Sequence, residues 1–364
     1  MRLFKESFVF TDFPRIVFLC GNKYSNKAND KRNVLKNYII KKHPEYKVII
    51  LEENFFFRKT NQSYLSYDDV MLNNLKQIEQ LASAMSDKVI IIHETISTAA
   101  ELGMFMSGQM PASKICLLVP DSMSIDEKKL SGFINYAFFR HNMESDRICR
   151  IKYYPDVLLS RKSKDTGYFL TFFHNDCIGA NLGERIEKFL NRGQQSNNTI
   201  NIIRNKYDRP SDNNNIEYWA GEEGKQLHIY VSAQAFKAQM CALFNIKSVM
   251  SELRKYIKLY KHVDWLAKQY DMILTNTISE LSGINMDDYS TEIRIKGYDY
   301  SLRDMTAFYL YMLQAASLIS LVEKDAENSQ LRKVSINSSF YQTIAKAKGL
   351  LTEKKASLFE RTFT

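Results

Sequence analysis

Four β-branched aliphatics in a row, Val89 to Ile92, follow Asp87-Lys88 and give way at once to His93, Glu94 and Thr95. A short run that is apolar at every position marks a strand covered on both faces, as in a parallel sheet. Ser97 or Thr98 can then cap a helix, and Thr98-Ala-Ala-Glu101 has the hydroxyl-to-carboxylate spacing of a capping box ahead of an apolar run. A helix therefore starts where the strand ends.

The same alternation recurs on either side. Residues 1–14 form an aromatic-rich entry arm, and Arg15 to Cys20 is a buried strand ending at Gly21, where the chain turns close to a neighbour. Val34, Leu35, Tyr38 and Ile39 predict a helix from Lys31 that stops at His43-Pro44. Lys47 to Leu51 is a second strand, with Glu52 and Glu53 at its carboxyl end. A long loop leads to an amphipathic helix over Asp68 to Met85, Lys114 to Val119 is a further strand, and residues 148–154 supply a last one. Strands alternating with helices predict an α/β fold with a doubly wound parallel sheet.

Between 191 and 225 the composition shifts to Asn, Gln, Asp, Gly and Ser, which predicts an exposed connection. The domain expectation is therefore an α/β domain over 1–190, a connection over 191–225 and a helical region over 226–364. In that last region Ala233 to Ala267 and Asp271 to Leu281 carry apolar residues at helical spacing. Arg303 to Ala316 reads as a helix, Ile319 to Lys324 and Leu331 to Ile336 as a hairpin, and a last helix starts near Ser339. Helices, a two-stranded wing and a helix make a winged-helix-like pattern.

The 364 residues are 45% hydrophobic and 25% charged, as expected of a globular chain. No apolar run approaches the roughly 18–20 residues of a membrane span, and no signal-peptide core is visible near Met1, so a cytoplasmic protein without membrane contact is expected. The five cysteines are widely spaced and read as reduced core thiols. His93-Glu94 begins like a zinc motif, but Ser97 stands where the second histidine belongs, so no metal is expected. The net charge of +9 favours an anionic partner. It is spread along the chain, with a local bias from Arg332, Lys333, Lys346 and Lys348 that can meet nucleic acid phosphates.

A strand that runs into a helix start places open backbone N–H groups in a crevice at the carboxyl edge of the sheet, a setting suited to phosphate or ribose. Two carboxylates flank it, Glu94 at the strand tip and Glu101 in the helix. Glu101 can equally be a capping carboxylate and Glu94 a loop charge. Arg32, in the first turn of its helix, is either a surface charge or a clamp for phosphate or carboxylate. The loop after Gly21 carries neither the glycine-rich motif of dinucleotide folds nor that of P-loops, which excludes those nucleotide motifs.

Several segments in register resemble one family: Phe18-Leu-Cys-Gly21, Glu53-x-x-Phe56, a helix bearing Glu79 eight residues before Asp87, Glu94-x-x-x-Thr98-x-x-Glu101-Leu-Gly-x-Phe105, and Phe133-Ile-Asn-Tyr136. They are similar to effector proteins of type II retrons, whose N-terminal domain is related to nucleoside deoxyribosyltransferases and whose C-terminal part is winged-helix-like. The chain departs from that pattern in carrying Glu94-Thr-Ile-Ser-Thr98 where relatives have Glu-Ser-Pro-Gly-Ser, and Ala137 where they have glycine.

The resemblance implies cleavage of an N-glycosidic bond by a toxic effector of anti-phage defence, with NAD or a related nucleotide as the substrate and no cofactor. It implies Glu101 as the catalytic carboxylate at the anomeric carbon. Gly21, Arg32, Glu53, Glu94, Thr98 and Asn135 are then the substrate contacts. The implied partners are a retron reverse transcriptase and its multicopy single-stranded DNA or non-coding RNA, in a homo-oligomer or higher assembly. A metabolic nucleoside or nucleotide deoxyribosyltransferase and a non-catalytic nucleotide-sensing, DNA-binding regulator are the alternatives.

Overall fold

The computed structural model describes residues 4–10, 15–21, 25, 30–54, 75–107, 112–120, 149–153, 173–174, 177–192, 198–201, 204–205, 215–221, 225–324, 328–333 and 339–352. Two compact units divide the chain, Arg15–Asn54 with Ala82–Gln195, and Met1–Pro14 with Phe55–Leu81 and Ser196–Thr364. The entry arm, which carries β1 (Ser7–Phe10), thus groups with the C-terminal half.

The Arg15–Asn54 and Ala82–Gln195 unit is built on a five-stranded parallel sheet of β2 (Arg15–Cys20), β3 (Tyr46–Ile49), β4 (Lys88–Ile92), β5 (Ile115–Pro120) and β6 (Cys149–Tyr153). Its order is β3-β2-β4-β5-β6, and every neighbouring pair is parallel. The chain reverses direction between β2 and β4, which makes the gap beyond their carboxyl ends the switch point where open α/β sheets take ligands.

Helices cover both faces. On one side α1 (Lys31–Lys42) and, after the two-residue strands β7 (Phe173–His174) and β8 (Cys177–Ile178), α5 (Ala180–Asn191) share a core with Val17, Leu19, Ile90, Ile92, Cys116 and Leu118. On the other, α4 (Ile96–Ser107) sets Phe105 edge-on to Phe18 at 6.2 Å. Every residue of β4 is buried, which is why its sequence lacks alternation. Asp87 fixes the start of that strand, since its carboxylate accepts the Ile16 N–H at 2.8 Å and its own N–H donates to the Ile16 carbonyl.

Two boundaries differ from the sequence reading, and a third falls outside the described residues. The second strand ends at Ile49, and α2 (Leu51–Asn54) lifts Glu52 and Glu53 onto a helical turn. The helix expected from Asp68 is described as α3 (Leu75–Met85), residues 68–74 lying outside the described residues. Helix α4 begins at Ile96, ahead of both expected caps, because the capping contact is made three residues earlier. Thr98 reaches back to accept the N–H of Thr95 at 3.3 Å.

In the other unit β1 pairs antiparallel with β9 (Asn198–Asn201). A second sheet orders β10 (Arg204–Asn205), β11 (Ile216–Ala220), β12 (Gln226–Val231) and β14 (Ser290–Ile295). The 191–225 stretch, polar in composition, therefore holds strand residues, and Ile216, Glu217 and Tyr218 are buried. Buried Glu217 faces Lys296 at 3.2 Å, so a polar letter here marks an ion pair and not a loop.

The long helical region is broken where Phe244-Asn245-Ile246 turns, giving α6 (Ala233–Leu243), α7 (Lys247–Leu253), the short β13 (Ile257–Lys258) and α8 (Leu259–Ser282). Asn245 holds the turn by donating to the Ile344 carbonyl at 2.6 Å. Helix α9 (Leu302–Ala315) is followed by the hairpin β15 (Ile319–Glu323) and β16 (Asn328–Lys333), then α10 (Ser339–Ala347). The second hairpin strand starts three residues before the apolar run suggested, with Leu321 opposite Leu331. The core of this unit is aromatic, Phe236 meeting Tyr270 at 5.2 Å and Tyr309 at 5.8 Å edge-on.

Candidate functional site

Gly21 closes β2, and Glu94 and the start of α4 lie just beyond β4, the two strands that border the switch point. Sequence reasoning placed Gly21, Arg32, Glu53, Glu94, Thr98 and Glu101 at this edge. The structure carries all six on the elements that end there, and Asn135 lies outside the described residues.

Helix α1 crosses this edge and meets the carboxylates. Lys31 pairs with Glu94, Arg32 Nη1 lies 2.8 Å from both oxygens of Glu52, and Lys36 Nζ lies 2.6 Å from both oxygens of Glu53. The helix itself starts on Asp30, whose side chain accepts the Arg32 N–H at 2.9 Å. Arg32 is not a surface charge, and the carboxylate it clamps is the protein's own Glu52. It is buried, and its stem passes so close to Gly21 that a Cβ there would sit 3.1 Å from Cδ. The glycine at the end of β2 therefore makes room for an arginine side chain.

Thr98, expected as a substrate contact, is buried, and its hydroxyl is used within the protein. It accepts from Thr95 N–H, donates to the Thr95 carbonyl at 2.6 Å and lies 2.9 Å from His93 Nδ1. The solvent-facing groups at the helix start are instead Ser97, whose hydroxyl is 2.7 Å from that of Thr95, and Ile96, which is 90% exposed. Glu101 is half-buried in the second helical turn, with Oε2 shielded from water. It flanks the stripe of Thr98, Leu102 and Phe105 that faces the core.

His93 was passed over in the sequence except as a failed zinc motif. It is half-buried, and burial lowers its pKa against the opposing pull of Glu94, so the imidazole is neutral near pH 7. Its place at the abrupt end of an apolar strand was the available signal. Among the described residues no cluster of three or more His, Cys, Asp or Glu side chains has the arrangement of a metal site. Cys20, Cys116 and Cys241 are buried thiols, the last pushed up to about 12 by burial, but Cys177 is exposed and not a core residue.

The basic residues proposed for nucleic acid belong to the other unit. Arg332 is exposed on β16, Lys333 pairs with Ile319 in the ladder, and Lys346 and Lys348 are exposed at the end of α10. Helix α9 is buried from Met305 to Gln314.

A parallel sheet with helices on both faces and acidic side chains at its switch point defines an α/β protein whose sheet edge is the place where such folds take ligands. The chain belongs to the STM3845 retron effector protein family, whose model matches residues 28–321. That membership gives it a role in retron-mediated defence and an association with a retron system. No curated protein matches the sequence. No helix among the described residues is long and apolar enough to cross a membrane.

Proposed function

We propose that the protein cleaves the N-glycosidic bond of NAD or a related nucleotide at the switch-point edge, with Glu101 as the carboxylate at the anomeric carbon. As the bond to the base stretches, positive charge builds on C1′ and the ring oxygen. A carboxylate held at about 3 Å either traps that carbon or stabilises it until water attacks. The observation that carries the proposal is the position of Glu101. It is half-buried on the first helix after β4, at the carboxyl edge of the parallel sheet, with Oε2 shielded from water.

In this reading the unit is a nucleoside deoxyribosyltransferase-like domain. Glu94 and Glu53 hold ribose hydroxyls, Lys31 and the open N–H groups at the start of α4 meet phosphate, and Thr98 shapes the helix start from beneath. The hairpin unit is winged-helix-like, since β13 precedes two helices and joins the later hairpin in the order β13-β16-β15. The burial of α9 favours a docking role for that region, because a groove-reading helix must be exposed. Its partners are the retron reverse transcriptase and the associated nucleic acid, in an oligomeric assembly.

The test is to incubate the purified protein, with and without retron partners, with NAD and a nucleotide panel, and to follow free base by chromatography. Nicotinamide release that is lost in Glu101→Gln, with folding preserved, supports the proposal. Release that persists in that variant rejects Glu101. Saturable binding without turnover favours a nucleotide sensor.

A further inference from the structure

The Thr98 hydroxyl settles the tautomer of His93. A hydroxyl has one proton to give and two lone pairs. Thr98 gives its proton to the Thr95 carbonyl at 2.6 Å and receives the Thr95 N–H at 3.3 Å. The remaining lone pair faces His93 Nδ1 at 2.9 Å, so that nitrogen must be the donor. Every hydrogen-bonding capacity of the hydroxyl is then used once. In a neutral ring with Nδ1 protonated, Nε2 carries a bare lone pair on the side turned away from Thr98.

Burial of Thr98 makes this arrangement rigid, because no water competes for its hydroxyl. The imidazole sits one residue past β4, at the edge already described, with its ring fixed by the same contact that starts α4. The charged groups on the elements around it are Glu94 beside it, Lys31 of α1 on Glu94, and Glu101 one turn along α4 from Thr98. A neutral ring suits a base, and the adjacent Glu94 stabilises the imidazolium that forms when the base takes a proton.

We infer that His93 is the proton acceptor of this site, its Nε2 taking a proton from the water that replaces the departing base. The inference rests on the glycosidic reading. The C1′–N bond breaks with its electron pair going to the base, a water oxygen bonds to C1′, and one water proton moves to Nε2 and then to solvent. A pyridinium leaving group becomes neutral as it departs and needs no acid, so one base completes the balance. Glu101 carries the charge of the transition state and His93 the proton.

The experiment has two arms on the full chain. The first measures kcat and KM for base release across pH in the wild type, His93→Gln, Thr98→Ser and Thr98→Val. His93→Gln is expected to lower kcat on the order of a hundred- to ten-thousand-fold, with little change in KM, and to abolish the acid limb of the profile. Thr98→Ser should keep the limb, and Thr98→Val should weaken it. The second arm reads the tautomer of His93 by nitrogen-15 NMR, assigned against His93→Gln, and expects Nδ1–H in the wild type. An Nε2–H ring, or a His93→Gln variant with unchanged kcat and pH profile, overturns the inference while release that depends on Glu101 leaves the glycosidic reading standing. No release from the wild-type protein overturns that reading and the proton step together, and the NMR arm still decides the tautomer.

Discussion

Arg32 Nη1 lies 2.8 Å from both carboxylate oxygens of Glu52, yet the two side chains live in different solvents, the arginine 3% exposed and the glutamate 45%. A buried guanidinium whose countercharge sits at the surface is sensitive to loss of the partner and less so to its own removal. Glu52→Ala should therefore cost about 1–3 kcal/mol in urea unfolding. Arg32→Met, which keeps the stem against Gly21 and removes the charge, should cost less. The reverse order would mean that the arginine stem and not its charge holds this corner.

Two helical glycines offer opposite outcomes for one substitution. A Cβ on Gly103 meets nothing within 4 Å, so Gly103→Ala should stabilise α4 by roughly 0.4–1 kcal/mol through the unfolded chain. A Cβ on Gly183 would sit 2.3 Å from the Tyr38 hydroxyl, which donates to Glu187 at 2.6 Å. Gly183→Ala should cost about 1–3 kcal/mol, and Tyr38→Phe in the same chain should recover part of it. Equal melting shifts for the two alanines would refute the packing seen at Tyr38.

These two glycines also mark the limit of what the sequence discloses. The parallel sheet was readable because Val89 to Ile92 of β4 are apolar in succession, and α1 because Val34, Leu35 and Ile39 recur on one face and His43-Pro44 stops it. The ends of elements were harder to see. The Thr98-Glu101 spacing imitates a capping box, but the hydroxyl at 98 caps backwards to Thr95. No periodicity distinguishes Gly183, which yields to a tyrosine from another helix, from Gly103, which yields to nothing. At the site, Glu94 and Glu101 stood out as acids beside a strand tip. Lys31 and Lys36 did not, nor did the pairing of Glu52 with Arg32, because these pairs join residues on different elements across the sheet edge. Strand β11 was hidden for a similar reason, since Glu217 reads as polar until Lys296 is beside it.

Acid should weaken the second unit through His262. The imidazole is fully buried, lies 3.0 Å from the Ser329 carbonyl through Nε2 and has its pKa lowered by burial. For such a base the unfolded chain binds more protons than the folded one below about pH 6.5, so the stabilisation is complete above that value and is lost as pH falls toward the folded pKa. The slope should approach about 1.4 kcal/mol per pH unit for this one group. His262→Gln keeps an N–H for Ser329 and does not titrate, so urea midpoints between about pH 7 and about pH 5 should fall less steeply in that variant. Parallel slopes for the two proteins would place the acid sensitivity elsewhere.

The pairing of Lys31 with Glu94 bears on substrate binding, since the glycosidic reading needs Glu94 for ribose hydroxyls. Both side chains are about one quarter exposed, 25% and 26%, so the pair itself contributes little to folding, within about 1 kcal/mol. A nucleotide entering the crevice brings its own anion, and a phosphate competes well for a lysine at the first turn of a helix, where open N–H groups also face it. Lys31 then moves from Glu94 to the phosphate, and the carboxylate is left to accept from ribose. Lys31→Met should raise KM for a phosphate-bearing substrate by about 10- to 100-fold, the worth of a charged hydrogen bond of about 1.5–3 kcal/mol, while kcat changes little. The same variant should not alter KM for a substrate without phosphate. Steady-state kinetics on a nucleotide and its nucleoside separate the two, and an equal change for both would assign Lys31 to holding Glu94 in place.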